Sequence, residues 1–155
     1  MRLPNSLWRL IRLFLRAYWR VRRPITAGVR AAVFDGQDRV LLVRHRYMPG
    51  WFLPGGGVER HETMGQALAR ELEEEAGLTL LESPVLFGLY ANFRDFKSDH
   101  VALYTVRRFT RRPHKSWEIA EAAFFSFEEL PSGTTEATRL RIREVREGLP
   151  PADFW

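Results

Sequence analysis

The chain has no cysteine among its 155 residues. Disulfide bridges, thiolate metal sites and cysteine nucleophiles are therefore excluded, and the absence fits a reducing compartment such as the cytoplasm. Acid is missing from residues 1–23, which instead hold seven arginines. No arginine-free run in that segment is long enough to cross a bilayer, which argues against a transmembrane helix. Internal repeats and low-complexity tracts are also absent. The four histidines, His45, His61, His100 and His114, lack metal-ligand spacing, so no role is expected for them.

What is present suits one domain with a sizeable core. The formal charge is +5, so setting aside the seven arginines of residues 1–23 leaves residues 24–155 at −2. The basic character belongs to an arm over residues 1–23, and the body over residues 24–155 is slightly acidic. In the arm, Arg9, Arg12, Arg16, Arg20 and Arg23 recur at helical spacing. Trp8, Leu10, Ile11, Leu13, Phe14, Leu15, Tyr18 and Trp19 cover most of the remaining circumference. This is the pattern of a basic amphipathic helix. Three uses compete for it: an anionic membrane surface to which the protein would be peripheral, docking on its own domain or on a second subunit of a homodimer, and an organellar presequence, although serine is scarce. Nucleic acid is disfavoured, because the acidic body would repel a backbone that the arm attracts.

The body reads as strands with two interspersed helices, an α/β layered domain. Residues 25–34 and 39–45 read as two strands joined by the turn Asp35-Gly36-Gln37-Asp38. Val29, Ala31 and Val33 alternate in the first, and Val40-Leu41-Leu42-Val43 is a buried-type run. Further strands are expected near 84–93, 100–109 and 121–127, and a last helix over about 135–147, stopped by Gly148 and Pro150-Pro151.

The most specific segment lies between Gly56 and Leu78. It reads Gly56, five residues, Glu62, seven residues, Arg70-Glu71-Leu72, then Glu74-Glu75, Ala76 and Gly77-Leu78. Thr63 and Gln66 have capping-box spacing, so the sequence predicts a helix that starts there and stops at Gly77. Met64, Ala67, Leu68 and Leu72 fall on its core face. Glu71, Glu74 and Glu75 share another face, where like charges each cost roughly 0.2–0.5 kcal/mol in an isolated helix. A cation would offset that repulsion, and oxygen-only ligands favour a hard ion such as Mg2+, which shares its remaining positions with phosphate oxygens. Upstream, Pro54-Gly55-Gly56-Gly57 is a turn whose backbone can approach a ligand closely. With average residue usage, a chance match to the whole pattern in a chain this long is on the order of one in ten million.

This segment resembles the Nudix box, and the chain is similar to Nudix hydrolases. The resemblance implies a Nudix-type α/β/α sandwich with a mixed sheet. It also implies Mg2+-dependent (or Mn2+-dependent) water attack on phosphorus in a nucleoside diphosphate linked to another moiety, or in a nucleoside triphosphate. By that resemblance Glu71, Glu74 and Glu75 would be metal ligands, with a backbone carbonyl at Gly55 or Gly56. Glu62 would support them and Arg70 would orient them. The general base would be Glu71, or an acid six residues before an aromatic in a later strand. Glu118, six before Phe124, fits best as ligand or base, with Glu121 in reserve. The other reading of both is a strand-edge carboxylate paired with Arg111 or Arg112. Arg44, Arg46 and Trp51 are candidate substrate contacts, with Phe93, Phe96 and Trp117 as further aromatics that could stack on a base.

The missing cysteine argues against the isopentenyl-diphosphate isomerases of the same fold. Phe93 and Arg94 stand where ADP-ribose pyrophosphatases usually show proline. Residues 94–96, Arg, Asp and Phe, replace the tyrosine of diadenosine polyphosphate hydrolases. The upstream signature of coenzyme A pyrophosphatases is incomplete. No subfamily is identified. Two rivals remain: an RNA 5′-end pyrophosphohydrolase, and a non-catalytic Nudix domain that binds a nucleotide and signals through its arm or a dimer interface.

Overall fold

Seven strands and two helices make up the described part of the chain, and their alternation places a sheet layer between the helices. The computed structural model describes residues 25–93 and 98–155; the arm over 1–23 and Phe96 lie outside them. The elements are β1 Thr26–Val33, β2 Val40–His45, α1 Met64–Ala76, β3 Leu78–Leu80, β4 Val85–Ala91, β5 Asp99–Val106, β6 Phe109–Arg111, β7 Ile119–Phe125 and α2 Glu136–Glu147.

One mixed sheet has the order β1-β5-β4, with β1 parallel and β4 antiparallel to β5. Antiparallel pairs β2-β7 and β3-β6 complete the strands. The segment between β2 and α1 runs between the first two strands and joins them. Phe52 exchanges backbone bonds with Val43 on one side, while Gly56 O accepts from Val29 N and Pro54 O from Ala31 N on the other, both at 2.9 Å. The glycine turn is thereby held at the centre of the molecule.

Both faces of the strand layer are covered. Val29, Ala31, Val33, Leu41 and Ala102 pack with Ala67, Leu68 and Leu72 of α1. Ala32, Phe34, Val40, Leu42 and Leu103 pack on the other side with Ile142 of α2. This is the α/β/α arrangement expected from the sequence. Two details differ. The expected strand over 100–109 ends at Val106, and its continuation, β6, pairs with β3, which is three residues long and too short to show a period.

The helix ends follow the local signals. The Thr63 side chain accepts from Gln66 N, Gln66 answers to Thr63 N at 2.9 Å, and Gly77 closes α1 in the left-handed conformation. Near α2 a buried pair, Arg141–Glu144 at 2.8 Å, anchors residues 152–155. Glu144 accepts from Tyr90 Oη at 2.8 Å and from Ala152 N, and Arg141 donates to Phe154 O. Trp155 then meets the Tyr90 ring edge-on at 5.5 Å. No helix among the described residues is long and apolar enough to cross a membrane.

Candidate active site

The glycine turn and α1 fit together through close contacts at Gly55 and Gly56. Gly55 has φ of 135°, and a Cβ there would meet Val29 O. A Cβ on Gly56 would collide with the Glu71 carboxylate. Removing both side chains lets Glu71 and Glu75 lie against the turn. Gly55 N–H donates to Glu75 Oε2 at 2.8 Å, a bond buried from solvent.

Arg70 organises the remaining carboxylates. Its Nε and Nη2 reach the two Glu62 oxygens at 2.9 and 3.1 Å, and Nη1 reaches Glu71 Oε1 at 2.8 Å. Nη1 is also 3.4 Å from Glu74 Oε2, and Nη2 donates to Gly57 O at 3.0 Å. Glu62, which also accepts from Glu59 N, is held below its ordinary carboxylate range first by its bonds to Arg70. One guanidinium thus ties the turn, Glu62 and α1 together.

Glu75 behaves differently. Burial pushes its pKa up to about 7; Gly55 N–H and Arg30 pull it down, while Glu71 and Glu118 push it further up. His45 Nε2 stands 3.7 Å from Glu75 Oε1, too long for a hydrogen bond. Burial, then the Arg30 charge, lower the His45 pKa, so this is a contact of a neutral ring rather than an ion pair.

Glu71, Glu74, Glu75 and Glu118 line one cleft, with His114, Lys115, Ser116 and Trp117. Glu118 precedes β7; its backbone is fixed by Arg46 N donating to Glu118 O at 2.9 Å and by Ser116 Oγ accepting from Glu118 N. Its carboxylate pairs with neither Arg111 nor Arg112: Arg111 donates to Ala76 O and Ala122 O, and Arg112 to Glu73. Glu121, the reserve, is paired with Arg44 at 3.1 Å.

The expected substrate contacts Arg44 and Trp51 are not brought to this cleft. Trp51 is buried in the core, edge-on to Phe125 at 5.0 Å, so its faces are already packed. Arg44 lies over Trp51 and is neutralised by Glu121. Arg46 does stand beside the cleft, in an adjoining cavity with Glu75 and Lys115. Trp117 is 83% exposed at the cleft mouth, free to stack. Arg30 and His45 were not expected here. Arg30 donates to Leu53 O at 3.2 Å and to Gly55 O, and no spacing signal marks it.

A second cavity, of about 390 Å³, opens beside Gly56 and Gly57. Met48, Phe52, Leu53, Val101 and Trp155 give it apolar walls, and Thr26, Asn92 and Asp99 a polar edge. Asp99 accepts from Thr26 Oγ1 at 2.7 Å and from Asn92 Nδ2 at 3.1 Å.

The donors at the cleft fit a hard divalent ion by chemistry: four carboxylates, all oxygen; the Gly55 carbonyl nearby accepts from Arg30. Among the described residues, no three acidic or imidazole groups are already gathered at ligating geometry. The cause is visible: Arg70 holds Glu71 and Glu74, and Gly55 N–H holds Glu75.

The chain is similar to several known proteins. The chain is 56% identical over 45 residues to rat diphosphoinositol polyphosphate phosphohydrolase 2, covering 28% of this chain and 25% of that protein. It is 40% identical over 62 residues to human 8-oxo-dGDP phosphatase NUDT18, covering 38% and 19%. The matches thus span a quarter or less of these relatives' length. The crystal structure of the MutT NUDIX hydrolase from Burkholderia pseudomallei superposes with a TM-score of 0.67 at 27% identity, covering 79% of this chain and 99% of that one. The NUDIX domain model matches residues 24–146, and with the complete Glu71–Glu75 motif seated on a glycine turn, the chain belongs to the Nudix hydrolase family.

Proposed function

We propose that the chain hydrolyses a phosphoanhydride bond, with Mg2+ or Mn2+, in a nucleoside diphosphate linked to another moiety or in a nucleoside triphosphate. The observation that carries this reading is the convergence of Glu71, Glu74, Glu75 and Glu118 on one cleft beside the Gly55–Gly56 turn. When bound, the ion supplies a lowered water pKa and neutralises charge on the phosphoryl oxygens. Glu71, Glu74, Glu75 and the Gly55 carbonyl would hold it. Glu118, which has no ion pair among the described residues, takes the proton of the attacking water, with Glu71 as the second candidate. The apolar cavity beside Gly57 has the volume of a small-molecule site and receives the nucleoside.

Arg70 positions carboxylates and touches no reacting atom. Arg70→Lys keeps one charge but loses the fork that reaches Glu62, Glu71 and Gly57 together. It should lower metal affinity or turnover about 10–100-fold, measured by metal titration of activity. A change within about twofold would remove its orienting role.

The reading is tested with a substrate panel, with and without Mg2+. The panel contains ADP-ribose, nucleoside triphosphates and 5′-triphosphate RNA. The names of the two relatives add 8-oxo-dGDP and a diphosphoinositol polyphosphate. Metal-dependent release of phosphate or mononucleotide is expected from at least one nucleotide. Binding without any release would establish the non-catalytic alternative, and release from RNA alone the 5′-end alternative.

A further inference from the structure

We propose that the basic cavity beyond Glu75 binds a phosphate group additional to the diphosphate being cleaved. The inference rests on the proposed function and narrows its substrate class. The cavity, of about 380 Å³, is lined by Arg46, Glu75, Arg111, Lys115, Ser116 and Glu121, among others. Glu75, Lys115 and Ser116 also line the carboxylate cleft, so the two spaces adjoin. The apolar cavity is lined by Gly56, which lies against the Glu71 carboxylate of that cleft. A substrate that reached all three would place its nucleoside in the apolar pocket, its diphosphate at the carboxylates and a further phosphate among the cations.

Charge and hydrogen-bonding capacity at the far end both suit phosphate. Arg46 and Lys115 have no acidic partner among the described residues, and Arg111 donates to two carbonyls rather than to a carboxylate. The acids nearby are already engaged: Glu121 by Arg44, and the buried Glu75 by Gly55 N–H. Glu118 faces the neighbouring cleft. Ser116 Oγ accepts from Glu118 N and Ile119 N, which leaves its own O–H to donate. An ammonium, two guanidinium groups and a hydroxyl are a donor set that phosphate oxygens satisfy and a neutral sugar does not.

The loop carrying Lys115 and Ser116 is also fixed in place. Arg112 pairs with Glu73, Arg112 N donates to Gly77 O at 3.0 Å, and the His114 ring meets Glu74 O at 2.8 Å. Its three contacts fall on α1 and its cap, the element that carries the glutamates. The backbone that carries Lys115 and Ser116 is therefore held beside the carboxylates.

The test is calorimetric binding of inorganic triphosphate and inorganic diphosphate to the full chain in Mg2+ buffer. The expected result is a preference for triphosphate of about tenfold or more, the scale of one charge-assisted hydrogen bond. The double variant Arg46→Ala/Lys115→Ala should lose that preference. Arg108→Ala, which removes an exposed arginine 4.0 Å from Glu82, should keep it. Equal affinity of the native chain for both anions, or a preference that survives the double variant, overturns the proposal. Kinetics then separate the phosphate's source. A raised KM for nucleoside triphosphates points to a γ-phosphate, and a raised KM for a diphosphoinositol polyphosphate to a phosphorylated polyol, with ADP-ribose unchanged in either case. An equal rise for ADP-ribose overturns it. If the calorimetric preference holds and no substrate is cleaved, hydrolysis fails as a reading while the site stands.

Discussion

Glu118→Gln should lower turnover about 10²–10⁴-fold, the range for losing a positioned general base, while the melting temperature stays unchanged. The stability half follows from the structure. The side chain is half-buried and engages no hydrogen-bond donor among the described residues, while the backbone bonds that fix it survive the substitution. The activity half follows from placement at the cleft with Glu71, Glu74 and Glu75. Glu121→Gln is the control: it breaks an exposed pair with Arg44 outside the carboxylate cleft and should change kcat less than about threefold, as surface pairs contribute little. Rates across pH decide what kind of loss occurs. A missing base removes the acid limb of the kcat profile, whereas a missing ligand raises the Mg2+ concentration needed for half-maximal rate. A Glu118→Gln effect below about threefold would take this residue out of the mechanism.

Chelator-treated protein should lose stability as pH rises from about 4.5 to 7, and excess Mg2+ should flatten that slope. The cause is Glu75, whose pKa is raised by burial from an ordinary value of 4.5 to about 7. Between those values the folded state binds more protons than the unfolded chain, so stability falls with rising pH. At 1.36 kcal/mol per pKa unit the full loss is about 3 kcal/mol. For a domain of this size that is a fall in Tm of roughly 6–12 °C. His45 acts in the opposite sense. Its pKa is lowered, so stability rises with pH as pH approaches 6.5 from below. Subtracting the Glu75→Gln profile from the native one isolates the Glu75 contribution, because His45 is present in both. Parallel native and Glu75→Gln curves would show that Glu75 is not held protonated by the fold.

Local signals carried most of what the sequence revealed. Thr63, Gln66 and Gly77 mark α1 because capping is settled within one turn of helix, and the structure places the cap and the stop at those residues. The acidic face of α1 was legible for the same reason. Arg30 and His45 were not. In β1 the alternation of Val29, Ala31 and Val33 marks one buried face, but Ala32 is buried on the other, so the sheet has no purely solvated side there. Arg30 therefore points at Gly55 O instead of water. The partner that decides this lies 25 residues away, which no local pattern encodes. Glu121 and Arg44 show the same limit: each was a reasonable candidate, and only the β2-β7 register puts them opposite one another.

The attachment of the 111–115 loop along α1 has a consequence for chain length in the ligand. Arg112 and His114 contact the same helix that presents Glu71, Glu74 and Glu75, so the loop carrying Lys115 and the acidic residues share one support. If the proposed phosphate site holds, the helix would work as a ruler that sets how many phosphoryl units fit between the scissile bond and Lys115. A polyphosphate one unit too short leaves the far end of the ruler unread, and one unit too long must buckle. Discrimination by phosphate count would then be built into the backbone of one element.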